Sequence, residues 1–470
     1  MQKGRRSLGA KRPGLSSLRK RRPCKRRIPW AEEKAKERRC CGMKHVKEFE
    51  TIVIGGGQAG LSVSYHLKLD GRDHLVLEQG AHAANTWRNH RWDSFTLNSP
   101  NWQCQLECGG MPGKHPDGFL SRDELVSYFE RYIELHRLPI QYETRVFTVR
   151  GVTGGYAVET TAGTFRAKNV VVATGVCLPH IPQFKGALSP DIRQMHSDSY
   201  RNPDSLPAGA VLVVGSAQSG AQIAEELLQS GRRVYLSVSR SGRAPRRYRG
   251  RDINWWRKAL GMYERTVDQV ASLRVKFGSY AHVSGRGGGR TLNLHRFASD
   301  GMTLLGRVMG LDDATVILSR DLHRNLAAAD QFEANLVARI DSYIDKHELA
   351  IPKEMLPQFT GGFAQPERDE LDLRQANVGS VIWATGYSFD FSMVRLPVFD
   401  ASGYPIQQRG VTIYPGLYFV GLPWLHKAKS GLLFGVSEDA AHIALHIINR
   451  ETAGFRHKNT FTEPELLYGS

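Results

Sequence analysis

Apolar positions cluster along this chain in short runs separated by glycines. "TIVI" (Thr51–Ile54) leads into a glycine triplet. "QAGLSVSYHLKL", with apolar residues at helical spacing, follows, and then "HLVLEQG", a second apolar run closed by an acid. That order predicts strand, tight turn, helix and strand. It returns in "AGAVLVVGSAQSGAQIAEELLQSGRRVYLSVSRS" (Ala208–Ser241). Between the two, "LSRDELVSYFERYIELHRLPI" predicts a helix, and "RVFTVRGVTGGYAVETTAGTFRAKNVVVATG" predicts short strands joined by glycine turns. "VIWATGY" is a later apolar run, and "GLYFVGLPWLHKAKSGLLFGVSEDAAHIALHIINR" predicts strand, glycine-rich loop and helix. Strands alternating with helices around glycine turns give an α/β fold class with two Rossmann-like, three-layer dinucleotide-binding units.

The glycine spacing carries the chemistry. Gly55, Gly57 and Gly60 form GxGxxG: the first allows the turn, the second lets backbone approach a pyrophosphate, and the third lets helix pack on strand. Gln58 and Ala59 open the helix whose free N–H groups meet the anion. Glu78, at the end of the second strand, is placed to accept hydrogen bonds from ribose hydroxyls and to disfavour a 2′-phosphate, so the first ligand is FAD or NAD. In the second unit Gly215, Ala217 and Gly220 take the same places, with Ser216 and Ser219 between them. No acid follows; Arg240 stands at the strand end instead, ahead of Arg243, Arg246 and Arg247. A guanidinium there suits the 2′-phosphate of NADPH. The run "RSGRAPRRYRGR" otherwise reads as a solvated basic loop. Opposite charges behind two like loops predict FAD in the first and NADPH in the second, with hydride passing between them.

Ala173-Thr174-Gly175 and Ala384-Thr385-Gly386 each end an apolar run, where the chain is expected to cross between units. The NADPH unit is then an insertion in the FAD unit. The expected limits are a basic tail 1–45, a first FAD part 46–207, an NADPH unit with helical insertion 208–375, a second FAD part 376–455 and a tail 456–470. The final helix is expected to begin near the flavin, where its N-terminal partial charge stabilises reduced flavin. Trp255, Trp256 and Tyr263, at helical spacing, are read as core and given no site role.

Composition changes this picture little. The net charge of +18 looks like a nucleic-acid signature, yet residues 1–42 hold 16 Lys and Arg against 3 Glu, a net +13, which leaves +5 for the other 428. The tail reads as an inert extension, with translation from Met43; a basic arm or an Arg-rich transit peptide are the other readings. Nucleic acid is therefore not an expected partner. No apolar run reaches the length of a membrane span. The six cysteines form neither a disulfide framework nor a CxxC pair, no metal site is expected, and a reducing cytoplasmic location follows.

These loops, the two ATG turns, "TWRNHRWDSFTLNSPNW" (Thr86–Trp102) and "HSDSY" (His196–Tyr200) together resemble the flavin-containing monooxygenase family, and within it the bacterial flavoprotein oxidoreductases, over Phe49–Arg450. The resemblance implies an FAD-dependent, NADPH-oxidising monooxygenase: reduced flavin takes up oxygen as a C4a-(hydro)peroxyflavin that oxygenates a nitrogen, sulfur or carbonyl group of a small molecule. It further implies a catalytic place for Asn98 beside the flavin, and one for His196. Trp87, Arg88, Asn98, Val146, Thr174, Gly175, Thr385, Gly386 and Gly421 are implied in cofactor binding, and a homodimer is compatible with it. The family fingerprint is incomplete here: its Phe and Gly places before His196 hold Pro190 and Ile192, and Phe184-Lys185-Gly186 comes earlier. The alternatives are a flavin oxidoreductase or redox sensor without oxygenation, and a disulfide reductase, which Cys104 and Cys108 fit poorly by spacing.

Overall fold

The computed structural model describes residues 46–110, 113–176, 178–184, 188–270 and 283–453. Expectations for both tails, for Met43, for Cys24, Cys40, Cys41 and Cys177, and for Lys185-Gly186 lie outside the described residues.

In β1 (Lys47–Ile54) the polar first half is exposed or half-buried and "TIVI" is wholly buried, as a strand entering a covered sheet should be. It lies between β2 (His74–Leu77) and, later in the chain, β6 (Gly163–Val172), parallel to both. β3 (Ile140–Gln141) extends the sheet beyond β2. On the other flank, β4 (Val146–Val152) and β5 (Gly155–Thr160) form an antiparallel ribbon on β6. Helix α1 (Gln58–Leu69) joins β1 to β2, and α2 (Arg122–His136) precedes β3, its start fixed by a Ser121–Glu124 capping box.

The second sheet is entirely parallel. It contains β7 (Arg193–His196), β8 (Ala210–Val214), β9 (Val234–Ser237), β10 (Thr303–Leu305) and β11 (Val378–Trp383), in the order β10-β9-β8-β11-β7. Helix α3 (Gln218–Gln229) links β8 to β9, and α4 (Leu322–Lys346) belongs to the long stretch before β11. The chain then returns to the first sheet with β12 (Leu417–Phe419), which pairs the last residues of β6 beyond the point where β5 leaves its edge. Helix α5 (Val436–Ala453) packs on α1. Two dinucleotide-type α/β units result, the second inserted between β6 and β12 of the first.

The expected borders at 207/208 and 375/376 fall inside the second sheet. β7 joins it from before 208 and β11 from after 375, because each supplies a parallel partner to an otherwise unpaired strand edge. The polar β7, "RQMH", gives no apolar signal of this role. The crossings themselves meet: Leu178–Pro179 pairs antiparallel with Tyr387–Ser388, so both linkers form one two-stranded hinge. Trp256 is fully buried, as expected of core, against Ile253, Leu336, Ile340 and Ile344.

Candidate functional site

The glycine loops are built on the same backbone contacts. Gly55 N–H donates to the Leu77 carbonyl at 2.9 Å and Gly215 N–H to the Ser237 carbonyl at 3.1 Å. The ATG turns close behind them, with Ala173 N–H on Ile54 O and Ala384 N–H on Val214 O, each at 2.9 Å. Gly55 (φ +112°) and Gly215 (φ +105°) are left-handed, and a Cβ on either would stand 2.7 or 2.5 Å from the carbonyl oxygen of Ala173 or Ala384. Only glycine fits there. A Cβ on Gly60 would lie 1.9 Å from Gly55 O, and one on Gly220 1.8 Å from Gly215 O, so the third glycine of each motif sets how close its helix comes to its strand.

At Gly57 a Cβ would meet nothing within 4 Å, which leaves an open cradle at the start of α1. Neither α1 nor α3 has a side-chain cap at its N-terminus, so the first N–H groups of both are free for an anion. Beside the first loop the buried Thr174 hydroxyl has no hydrogen-bond partner among the described residues. The residues thus fit a dinucleotide pyrophosphate at each loop.

The strand ends differ. Glu78 is buried, and its carboxylate accepts from Gly56 N–H at 2.8 Å and Gly80 N–H at 2.7 Å, tying the loop to the strand with a charge. In the second unit a hydroxyl makes the tie: Ser216 Oγ accepts from Ser239 N–H at 3.1 Å. Arg240, next in the chain, is exposed and makes no hydrogen bond or ion pair with the described residues.

The later arginines do not form a solvated loop. Arg243 is held by Asp330 and Glu333, both at 2.6 Å, Arg249 by Asp341 at 2.8 Å, and the fully buried Arg246 by Asp252. Three carboxylate sets far along the chain or on a neighbouring turn convert a basic run into buried pairs. Arg247 stays exposed, on Gly288 O at 3.3 Å.

The Gln at each helix start also repeats. Gln58 Nε2 donates to Gly431 O at 3.0 Å, which fastens the C-terminal glycine loop to α1. Gly421 (φ +76°) approaches the same turn; a Cβ there would be 2.4 Å from Ala59 Cβ. Gln218 makes the matching pair of bonds to the Val283 backbone. Its position one residue past Ala217 is the signal that sequence reading missed.

Thr86–Trp102 and His196–Tyr200 prove to be two faces of one contact. Asp198 faces His90 at 3.4 Å and His196 at 3.3 Å, Asp93 N–H donates to Arg201 O at 2.8 Å, and Asn202 donates to the Asp93 carboxylate at 2.6 Å. Glu226 of α3 accepts from Ser94 Oγ at 2.5 Å and from Tyr200 OH at 3.0 Å. Hydrogen bonds from His196 and His90 hold the Asp198 carboxyl far below the usual carboxylate range. His196 is buried; its Nε2 reaches Gly386 O at 3.0 Å and its Nδ1 faces Asp198. Both ring nitrogens are thus engaged, one with the Gly386 carbonyl of the hinge and one with Asp198.

Asn98 is half-buried, and its backbone carbonyl accepts from Arg246 at 2.8 Å and Asn254 at 3.3 Å, so the inserted unit fixes the loop that carries it. Tyr263, read from sequence as core alone, donates to Asn254 Oδ1 at 2.9 Å and stacks edge-on to Phe434 of the C-terminal loop. Trp87 stacks with Phe95 under Arg91. Arg88 pairs with Glu130 of α2 at 2.6 Å. Val146 opens β4 just past Glu143, whose N–H meets Gly80 O, so its segment does reach the Glu78 end. Thr385 Oγ1 donates to His180 O across the hinge. Burial pushes the Cys104 thiol up to about 12, and Cys108 is exposed. Among the described residues no helix is long and apolar enough to cross a membrane, and no His, Cys, Asp and Glu group could hold a metal.

Comparison with known proteins places these features. A family described as pyridine nucleotide-disulphide oxidoreductase matches residues 52–270. An uncharacterized CzcO-like oxidoreductase of Geobacillus kaustophilus is 33% identical over 410 residues, covering 87% of this chain and all of that protein. Among solved structures, a flavin-containing monooxygenase from Stenotrophomonas maltophilia aligns with a TM-score of 0.59 at 19% identity, over 86% of this chain and 99% of that one. A bacillithiol disulfide reductase from Staphylococcus aureus aligns with a TM-score of 0.54 at 15% identity, over 86% and 100%. Both share the fold.

Proposed function

The chain belongs to the CzcO-like oxidoreductases of the flavin-containing monooxygenase group, and from that premise we propose that it is an FAD-dependent, NADPH-oxidising monooxygenase of a small molecule. The observation that carries the reading is the contrast behind two like loops: a buried carboxylate at Glu78 and an unpaired guanidinium at Arg240. The first suits the ribose of FAD and the second the 2′-phosphate of NADPH.

In this reading Gly55, Gly57, Gln58, Ala59 and Gly60 cradle the FAD pyrophosphate, with Glu78 on the ribose and Val146, Trp87, Thr174, Gly175 and Gly421 around the rest. Gly215, Ser216, Ala217, Ser219 and Gly220 hold the NADPH pyrophosphate, with Thr385 and Gly386 at the hinge beside it. Bound flavin supplies the hydride acceptor and the centre that activates oxygen. The side-chain amide of Asn98 donates a hydrogen bond at the reacting face, and Arg246 and Asn254 fix its backbone. His196, through Gly386, holds the hinge that sets one nucleotide against the other. The nitrogen, sulfur or carbonyl group of the substrate is then oxygenated in a closed site from which water is excluded. The buried, high-pKa Cys104 is a poor thiol nucleophile, which speaks against a disulfide reductase.

Purified holoprotein given NADPH in air, with amines, sulfides and ketones in turn, tests this. Continued NADPH and oxygen consumption with a product heavier by one oxygen atom is expected for one of these classes. A single stoichiometric bleaching of the flavin, or only hydrogen peroxide with every class, overturns it.

A further inference from the structure

Away from the glycine loops the inserted unit carries a cavity of about 320 Å³ between α3, the helix Leu294–Ser299 and α4. That volume lies at the small end of ligand pockets. Leu228, Phe297, Leu356 and the 37%-exposed Phe359 supply apolar wall. Among them lies Glu225 of α3, whose side chain is only 7% exposed and accepts no hydrogen bond from the described residues.

The charges around Glu225 leave it incompletely answered. The nearest cation is Arg290, whose Nε forms an ion pair with Glu225 Oε1 at 3.5 Å but no hydrogen bond with the described residues. The other lining acid near the core, Glu333, is already held by Arg243 at 2.6 Å. Burial raises the Glu225 pKa, while Arg290, Arg286 and Arg296 oppose the rise. A carboxylate with an ion pair but no hydrogen-bond donor among the described residues has acceptor capacity left, which a cationic donor entering the cavity would use.

We propose that this cavity binds a small monoamine with an apolar body, the ammonium donating to Glu225 and the body resting on Leu228, Phe297 and Phe359. Arg290 and Arg296, among the lining residues, disfavour molecules with several positive charges. No residue of the 215–220 loop lines the cavity, so the amine binds alongside NADPH and not in its place.

Calorimetric titration of the NADP⁺-saturated holoprotein with 2-phenylethylamine tests this without any turnover, and so stands apart from the oxygenase reading. Saturable binding is expected for the amine and not for phenylacetate. Glu225→Gln should weaken it about tenfold or more, the worth of a lost bond to a charged group. Leu228→Trp, which fills the cavity and leaves the charges alone, should abolish it. No binding to the wild type, equal binding of phenylacetate, or binding unchanged in a variant that keeps its flavin each overturn the proposal.

Discussion

The first and second glycine loops share their backbone contacts until the second strand of each unit ends, and there they part. In the first unit a carboxylate, Glu78, accepts from the loop N–H of Gly56 and from Gly80 just past the strand; in the second a neutral hydroxyl, Ser216, accepts from Ser239, and Arg240, which follows Ser239, has no partner among the described residues. The turn itself demands glycine and a close carbonyl, so it is the same in both. In the proposed reading the ligand's sugar and phosphate lie beyond the turn, at the strand ends where the two side chains differ.

The strongest way to break the comparison is to damage each loop separately. Gly60→Ala sets a methyl against Gly55 O and should give protein without flavin. Gly220→Ala sets the same clash against Gly215 O, and should keep the flavin yet slow its reduction by NADPH on the order of a hundredfold, measured anaerobically. A middle-sized effect comes from the strand ends. Glu78→Gln should weaken FAD retention about tenfold to a hundredfold, through loss of charge-assisted bonds to Gly56 and Gly80. Arg240→Ala should cut the preference for NADPH over NADH about tenfold, and less at high salt because the side chain is exposed. If flavin retention responded to Arg240 and nicotinamide preference to Glu78, the assignment of the two loops would be reversed.

The smallest effect concerns the contact that both units share. The folded-state pKa of Asp198 is depressed, so its contribution is fully present above the unfolded carboxylate value of about 4 and fades as pH falls below it. Asp198→Asn should therefore lower the melting temperature by about 2 °C at neutral pH, with the gap to wild type closing as the pH falls into the acid range. A gap that widened on acidification would refute the clamp.

What could be read in the sequence was what backbone geometry dictates locally. The spacing of Gly55, Gly57 and Gly60, and of Gly215 and Gly220, announces itself because no other residue fits, and "AVLVV" marks β8 because both its faces are covered. What escaped was set by distant partners. Arg243, Arg246 and Arg249 look like a solvated run until Glu333, Asp252 and Asp341 are brought to them. Tyr263 gave no signal because its partner, Asn254, is chosen by packing and not by spacing. The expected borders fall inside the second sheet for a related reason: β7 is polar and joins that sheet by pairing with β11.

The hinge formed by Leu178–Pro179 and Tyr387–Ser388 also bears on how such a chain can assemble. β6 and β12 are neighbours at Val170 and Leu417, a pairing that by sequence separation should be slow to find. Because the inserted unit leaves where it enters, once folded it returns its two ends side by side and shortens the loop that the first sheet must close. The insertion then behaves toward its host as a hairpin turn would, and the late-synthesised β12 can dock onto a sheet whose edge is already waiting for it.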